Sequence, residues 1–272
     1  MSPRAGSLSV VGVGIRAPAQ ATLEGSSRIR SAEKVFSLVT DPLAEYWLRT
    51  LNNRTQSLCD LYSVGKDRFE TYCEMVDRIM GAVREGLQVC VVAYGHPGVA
   101  AYPLHESVRR ARIEGFAAEM LAGISAEDCL FAELGIDPIA GGCCSYEATD
   151  FLLRRRSCNP GGNLILWQVG VIAERGHKHE DVAWNRAGLA VLTGVLLETY
   201  PPDHEVVIFE AARLPACESY VERVALRDLP EAGVTAMSTL FVPPMTSAPI
   251  DDEMSRRLGL REPCRTPEES RS

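Results

Sequence analysis

The chain has 272 residues, 46% of them hydrophobic, enough for one large α/β domain or two smaller ones. Its net charge of −8 argues against a general affinity for nucleic-acid phosphates or anionic membranes. No apolar stretch approaches the roughly 20 residues that span a bilayer, and the first residues show no signal-peptide apolar region or cleavage site. Neither nucleic acid nor membrane is therefore expected as a partner.

Strand-like and helix-like stretches alternate from the start. SLSVVGVG (7–14) reads as a strand ending in glycines, 21–33 as a helix, 34–39 as a strand and 42–51 as a helix. In 68–86, Tyr72, Val76, Ile79 and Val83 recur at helical spacing and Gly86 closes the helix. A β-branched strand at 87–93 follows, then a helix over 105–115 and a short strand over 116–121. Ser125 is placed to cap the next helix, with Asp128 in the capping-box position. To about residue 135 the pattern is a βα repeat, which predicts a mostly parallel sheet.

The second half differs. Strands are expected at 163–170 and 205–212, a long helix over 184–200 between them, and strand and loop material at 220–229 and 237–244. This predicts a mixed or antiparallel sheet in a second α/β lobe. The organisation is thus an N-terminal lobe (1–135), a C-terminal lobe (136–246) and a polar, largely disordered tail (247–272) with a short helix near 252–259. The basic run at 152–157 reads as a solvated helix end.

Nine cysteines (Cys59, Cys73, Cys90, Cys129, Cys143, Cys144, Cys158, Cys217 and Cys264) form no C-x-x-C pair. They read as reduced thiols of a cytoplasmic protein. His177 and His179 are close in sequence but read as a polar loop, and no metal site is expected.

Two places carry chemistry. The first is Tyr94-Gly95-His96-Pro97-Gly98, directly after the strand at 87–93. Ligands of open α/β sheets bind outside the carboxyl ends of the strands, so this turn is a candidate site as well as a plain strand-to-helix turn. Gly12 and Gly14 sit at another strand end, but Ala17 replaces the third glycine of a dinucleotide fingerprint and no P-loop lysine follows. The second is Arg68 and Tyr72, four residues apart and hence on one helix face. A guanidinium beside a phenol favours the phenolate, one way to make a base. A solvent-side arginine stacked on a half-buried tyrosine is the structural alternative. Tyr62 and Tyr94 add two further phenols nearby in sequence.

YGHPGV together with GISAEDCLFAELGIDP resembles the tetrapyrrole-methylase-like class of S-adenosylmethionine enzymes, and more narrowly the borosin peptide backbone α-N-methyltransferases. The resemblance runs through SLSVVGVGI, VFSLVTDP, DRFETY, LILWQVG, HEVVIFEA and STLFVPP, over about residues 7–244. It implies two α/β lobes with S-adenosyl-L-methionine between them: an N-terminal mostly parallel sheet with helices and a C-terminal mixed sheet. The implied catalytic residues are Arg68, Tyr72 and Tyr94, with Tyr62 matching another active-site tyrosine. The implied cofactor contacts are Tyr94, His96, Val99, Ser125, Ala126, Gln168, Ala211, Ser238 and Thr239.

The resemblance further implies an intertwined homodimer, binding peptide as a 2:2 complex. Fused members carry a clasp and an apolar core peptide that they methylate on themselves. The last residues here have no such run and resemble, as in RLGL at 257–260, the split type that acts in trans on a separate ribosomally made precursor peptide. Tyr72 is then expected as the base, Arg68 as its electrostatic partner and Tyr94 as donor to the amide oxygen, with the roles of Tyr72 and Tyr94 exchangeable. Two other readings stand beside this one. One is a methyltransferase of the same class acting on a tetrapyrrole, a diphthine precursor or RNA. The other is a catalytically inactive relative that binds a peptide.

Overall fold

The computed structural model describes residues 5–176, 186–214, 216–245 and 250–260. His177, His179 and Cys264 lie outside them. The first sheet contains β1 (Ser7–Gly12), β2 (Lys34–Leu38), β3 (Thr55–Ser57), β4 (Gln88–Ala93) and β5 (Ala117–Met120), in the order β3-β2-β4-β1-β5. Every pairing in it is parallel. The interleaved helices are α1 (Leu23–Ser31), α2 (Pro42–Leu51), α3 (Arg68–Arg84), α4 (Tyr102–Ile113) and α5 (Ala126–Leu134).

The near-continuous apolar run of β4 follows from burial on both faces. Val89, Val91 and Ala93 pack with Val10 under α3 and α4, against Met75, Ile79, Val83 and Leu104. Cys90 and Val92 point the other way with Val11 and Val35, under Ile29 of α1 and Leu48 of α2. Strand alternation thus divides one run of sequence between two cores.

The second sheet contains β6 (Cys143–Glu147), β7 (Asn163–Trp167), β8 (Glu205–Glu210), β9 (Tyr220–Ala225) and β10 (Thr239–Val242), in the order β6-β7-β10-β8-β9. β6 and β7 are parallel and the other pairs antiparallel, so the sheet is mixed as expected. Leu164, Leu166, Val206, Ile208 and Leu240 face α6 (Ala148–Leu153) and α7 (Arg186–Leu196). The opposite face (Ile165, Val207, Phe209 and Phe241) meets Ile15 and, on α5, Cys129 and Leu130. This last cluster is an apolar contact between the two lobes. α8 (Asp252–Arg257) is the short helix expected near 252–259.

Several boundaries tighten. The first strand ends at Gly12 rather than residue 14, and the strand expected over 163–170 stops at Trp167. The helix expected over 105–115 begins earlier, at Tyr102, with Pro103 in its first turn where the missing N–H is harmless. β3 and β6 were not anticipated, and of α6 only its solvated end in the basic run was. The arginine run after α6 is solvated and ion-paired: Arg154 and Arg156 both pair with Asp150, and Arg155 with Glu198.

Candidate active site

The parallel register sets Gly12 at the end of β1 opposite Ala93 at the end of β4, so both strands deliver their following loops to the same edge. There Gly14 and Gly95, both at positive φ, form a bridge, and the Gly95 amide donates to the Gly14 carbonyl at 2.9 Å. A Cβ on Gly12 would lie 2.3 Å from the Gly95 oxygen, and one on Gly123 3.0 Å from that same oxygen. The glycines therefore serve close backbone packing where β1, β4 and β5 end. Beyond this junction His96 folds the chain back: its Nδ1 accepts from the Gly98 amide at 2.9 Å, and its carbonyl from Val99 at 3.1 Å. Val99 is left exposed.

Tyr94 leaves β4 into the contact between the lobes, where it packs with Ala126 and Ala211 around Ile15, Phe209 and Phe241. Three of the expected cofactor contacts, drawn from β4, α5 and the end of β8, thus meet in one cluster. Ser125 caps α5 as anticipated: its hydroxyl accepts from the Asp128 amide at 3.1 Å, while the Asp128 carboxylate accepts from the Ser125 amide at 2.7 Å.

The second lobe contributes its strand ends. Gln168 follows β7 in the left-handed region (φ 60°), uncommon for a residue with a side chain. The next amide, that of Val169, donates to the Ser238 carbonyl at 3.3 Å. Ser238 is fully buried, and its neighbour Thr239 opens β10 opposite Phe209 of β8. Gln168, Ala211, Ser238 and Thr239 therefore sit at neighbouring strand ends. Of these, Ala211 lines a groove of about 220 Å³, together with Glu210, Arg213 and Tyr220.

Arg68 and Tyr72 lie at the start of α3, a place fixed from two sides. Asp67 caps the helix, accepting from the Phe69 amide at 2.8 Å, and the Arg68 amide donates to the Arg175 carbonyl of the second lobe at 2.9 Å. Tyr62, just after a short 3-10 turn (Cys59–Leu61), hydrogen-bonds Tyr72 and lies within the field of Arg68. The structure thus joins Arg68, Tyr72 and Tyr62. Tyr72 is half-buried against the first-lobe core, and its ring stacks 6.3 Å from that of Tyr102, which in turn lies 5.2 Å from Phe69.

Burial dominates the shifts in proton affinity of Tyr62 and Tyr94. It pushes Tyr62 well above the usual phenol range, with the charge of Tyr72 adding to this and Arg68 pulling weakly the other way. Tyr94 is pushed up to about 12, again chiefly by burial, against a smaller opposing pull from Arg213. Arginine-assisted ionisation therefore does not govern these two. At neutral pH both are hydrogen-bond donors. Glu210 and Arg213, which face Tyr94 electrostatically and line the groove, had no signal in the sequence.

The donor set suits a nucleoside without phosphate. The Ile15 and Arg16 amides, which a phosphate would need after β1, already donate to the Gln20 side chain at 2.7 and 2.8 Å, and Thr22 caps α1. Small side chains, backbone polar groups and a carboxylate at the cleft are compatible with S-adenosylmethionine.

Known proteins resemble this chain in fold and sequence. The family described as Tetrapyrrole (Corrin/Porphyrin) Methylases matches residues 7–230. The chain is 41% identical over 261 residues to the methyltransferase/ribosomally synthesized cyclic peptide gymnopeptides precursor of Gymnopus fusipes, covering 94% of this chain and 62% of that protein. It is 39% identical, with the same two coverages, to the methyltransferase/ribosomally synthesized cyclic peptide omphalotin A precursor of Omphalotus olearius. The chain thus spans about three-fifths of the length of these relatives. Among solved structures, uroporphyrin-III-C-methyltransferase from Thermus thermophilus shares the fold at a TM-score of 0.63 and 20% identity, over 88% of this chain and 92% of that one. Diphthine synthase does so at 0.62 and 16%, over 97% and 98%. With the match covering most of both lobes, the chain belongs to the tetrapyrrole methylase family.

Proposed function

We propose that this protein is an S-adenosylmethionine-dependent α-N-methyltransferase acting on backbone amides of a ribosomally made peptide supplied on a separate chain. The observation that carries the reading is the joined set Arg68, Tyr72 and Tyr62 at the start of α3. The two relatives, whose names join a methyltransferase to a cyclic-peptide precursor, supply the substrate class. The likeness of residues 257–260 to the split enzymes extends it to a peptide acting in trans. By the same resemblance the enzyme is a homodimer that takes peptide as a 2:2 complex.

An amide nitrogen is a poor nucleophile because its lone pair is delocalised into the carbonyl. Its N–H is also far less acidic than a phenol. Alkylation therefore requires the proton to leave as the nitrogen attacks, with the nitrogen held in line. Positioning supplies much of such a barrier. Tyr72 takes the amide proton on its phenolic oxygen, Arg68 is its electrostatic partner, and Tyr62 hydrogen-bonds Tyr72. Tyr94, neutral by burial, donates to the amide oxygen, where negative charge accumulates as the nitrogen loses its proton. The exposed rings of Phe69 and Tyr102 beside Tyr72 offer an apolar wall to the peptide. When bound, S-adenosylmethionine supplies an electrophilic methyl on a sulfonium. His96, Val99, Ser125, Ala126, Gln168, Ala211, Ser238 and Thr239, together with Tyr94, are the residues that would hold it.

The test is mass spectrometry of a small precursor peptide encoded beside this protein and co-expressed with it as a separate chain. Single-methyl mass increments localised to backbone nitrogens are expected. A peptide left unmodified by a protein that still binds the cofactor would overturn the assignment of substrate.

A further inference from the structure

We infer that Glu210 is the positioning residue of the cofactor-binding half of the second lobe, an inference that rests on the methyltransferase reading above. Glu210 is the last residue of β8, immediately before Ala211. Its Oε1 accepts from two hydroxyls, Ser238 Oγ at 2.5 Å and Thr235 Oγ1 at 2.7 Å. Those hydroxyls organise the turn from Thr235 to Ser238. Ser238 Oγ accepts from the Thr235 amide at 2.8 Å, and Thr235 Oγ1 accepts from the Met237 amide at 3.0 Å. One carboxylate oxygen therefore anchors both ends of a four-residue turn.

That turn is pressed on the segment after β7. The Thr235 carbonyl oxygen lies where a Cβ on Gly170 would come within 2.0 Å, and the Ser238 carbonyl receives the Val169 amide. The left-handed Gln168, the buried Ser238 and Thr239 are consequently fixed relative to one another through Glu210. These three, with Ala211, are the second lobe's expected cofactor contacts. Hydrogen bonds to a charged acceptor are among the stronger ones, and a carboxylate can take two at one oxygen. The geometry assigns to this side chain the setting of the cleft wall, acting through Thr235 and Ser238.

The experiment is titration calorimetry of S-adenosylhomocysteine, a stable probe, with the wild-type chain and Glu210→Ala, Glu210→Gln and Thr235→Val, alongside thermal unfolding of each. Glu210→Ala is expected to weaken binding about tenfold or more while remaining folded at the temperature of the titration. Glu210→Gln keeps an oxygen that accepts from both hydroxyls and is expected to stay within about threefold of wild type, with Thr235→Val between the two. Wild-type affinity in Glu210→Ala, or in Thr235→Val should the alanine variant not fold, would overturn the inference. So would equal loss in Glu210→Gln and Glu210→Ala, because charge rather than placement of the turn would then be responsible. A wild-type chain that binds no probe would overturn the methyltransferase reading itself, an outcome distinct from any of these.

Discussion

A phenol at the end of β4 loses much of its water to the contact between the lobes, and its proton affinity rises accordingly: Tyr94 reaches about 12. The sign of the linked stability follows. Between the ordinary phenol value of about 10 and the raised one, the unfolded chain sheds a proton that the folded chain keeps, so stability falls as pH rises through that window. Tyr94→Phe should remove up to about 1.4 kcal/mol per pH unit of that alkaline slope, read by urea unfolding from neutral to strongly alkaline pH. If Tyr94 donates to the developing oxyanion, the same substitution should lower kcat by about 10²–10³. Tyr72→Phe removes the proposed base and should cost about 10²–10⁴ in kcat, more than Tyr62→Phe, whose phenol acts only through its bond to Tyr72. Full activity in both Tyr72→Phe and Tyr94→Phe would sink the scheme. The Arg68–Tyr72 face was readable because i and i+4 coincide on any helix. Glu210 was not, since a carboxylate ending a strand looks solvated until the turn at 235–238 is seen to close on it.

At the scale of elements, two glycines close in sequence to the site separate backbone necessity from mere tolerance. Gly12 ends β1 with the Gly95 oxygen and Pro97 Cδ inside the space of a Cβ, 2.3 and 2.7 Å away. Gly81 lies within α3 with nothing within 4 Å of that space. Gly12→Ala should therefore destabilise by about 1–3 kcal/mol or more and disturb the Tyr94 turn. Gly81→Ala should stabilise by about 0.5–1 kcal/mol through helix propensity, both read from denaturant midpoints. The same contrast explains what sequence pattern revealed of the fold. β4 and α3 announce themselves because burial on two faces imposes an unbroken apolar run and burial on one stripe a helical period. β3 (Thr-Gln-Ser) and β6 (Cys-Cys-Ser-Tyr-Glu) lie at sheet edges, with one paired neighbour each. Their chains can hold polar residues and carry no period, so only pairing with β2 and β7 defines them.

For the whole molecule, the decisive feature is that the cleft has no wall of its own. One side is the first lobe's strand ends with α5, the other the inner face of the second sheet, and Phe209, fully buried, sits where they join with Tyr94, Ala126 and Ala211 around it. This convergence draws on residues more than a hundred positions apart and leaves no local pattern. Stability and ligand binding should therefore be coupled through the same side chains. Phe209→Ala removes a large ring from a close-packed junction and should cost about 3–5 kcal/mol. Phe151, by contrast, packs on the far side of the second sheet under α7. Phe151→Ala should cost a comparable amount of stability without touching the cleft. Denaturant unfolding of the two variants, paired with S-adenosylhomocysteine titration under conditions where both remain folded, separates the cases. Weakened binding in Phe209→Ala alone is expected, because only there do the two walls lose their common spacer. Equal affinity in both would mean that each lobe holds its half of the site without help from the junction.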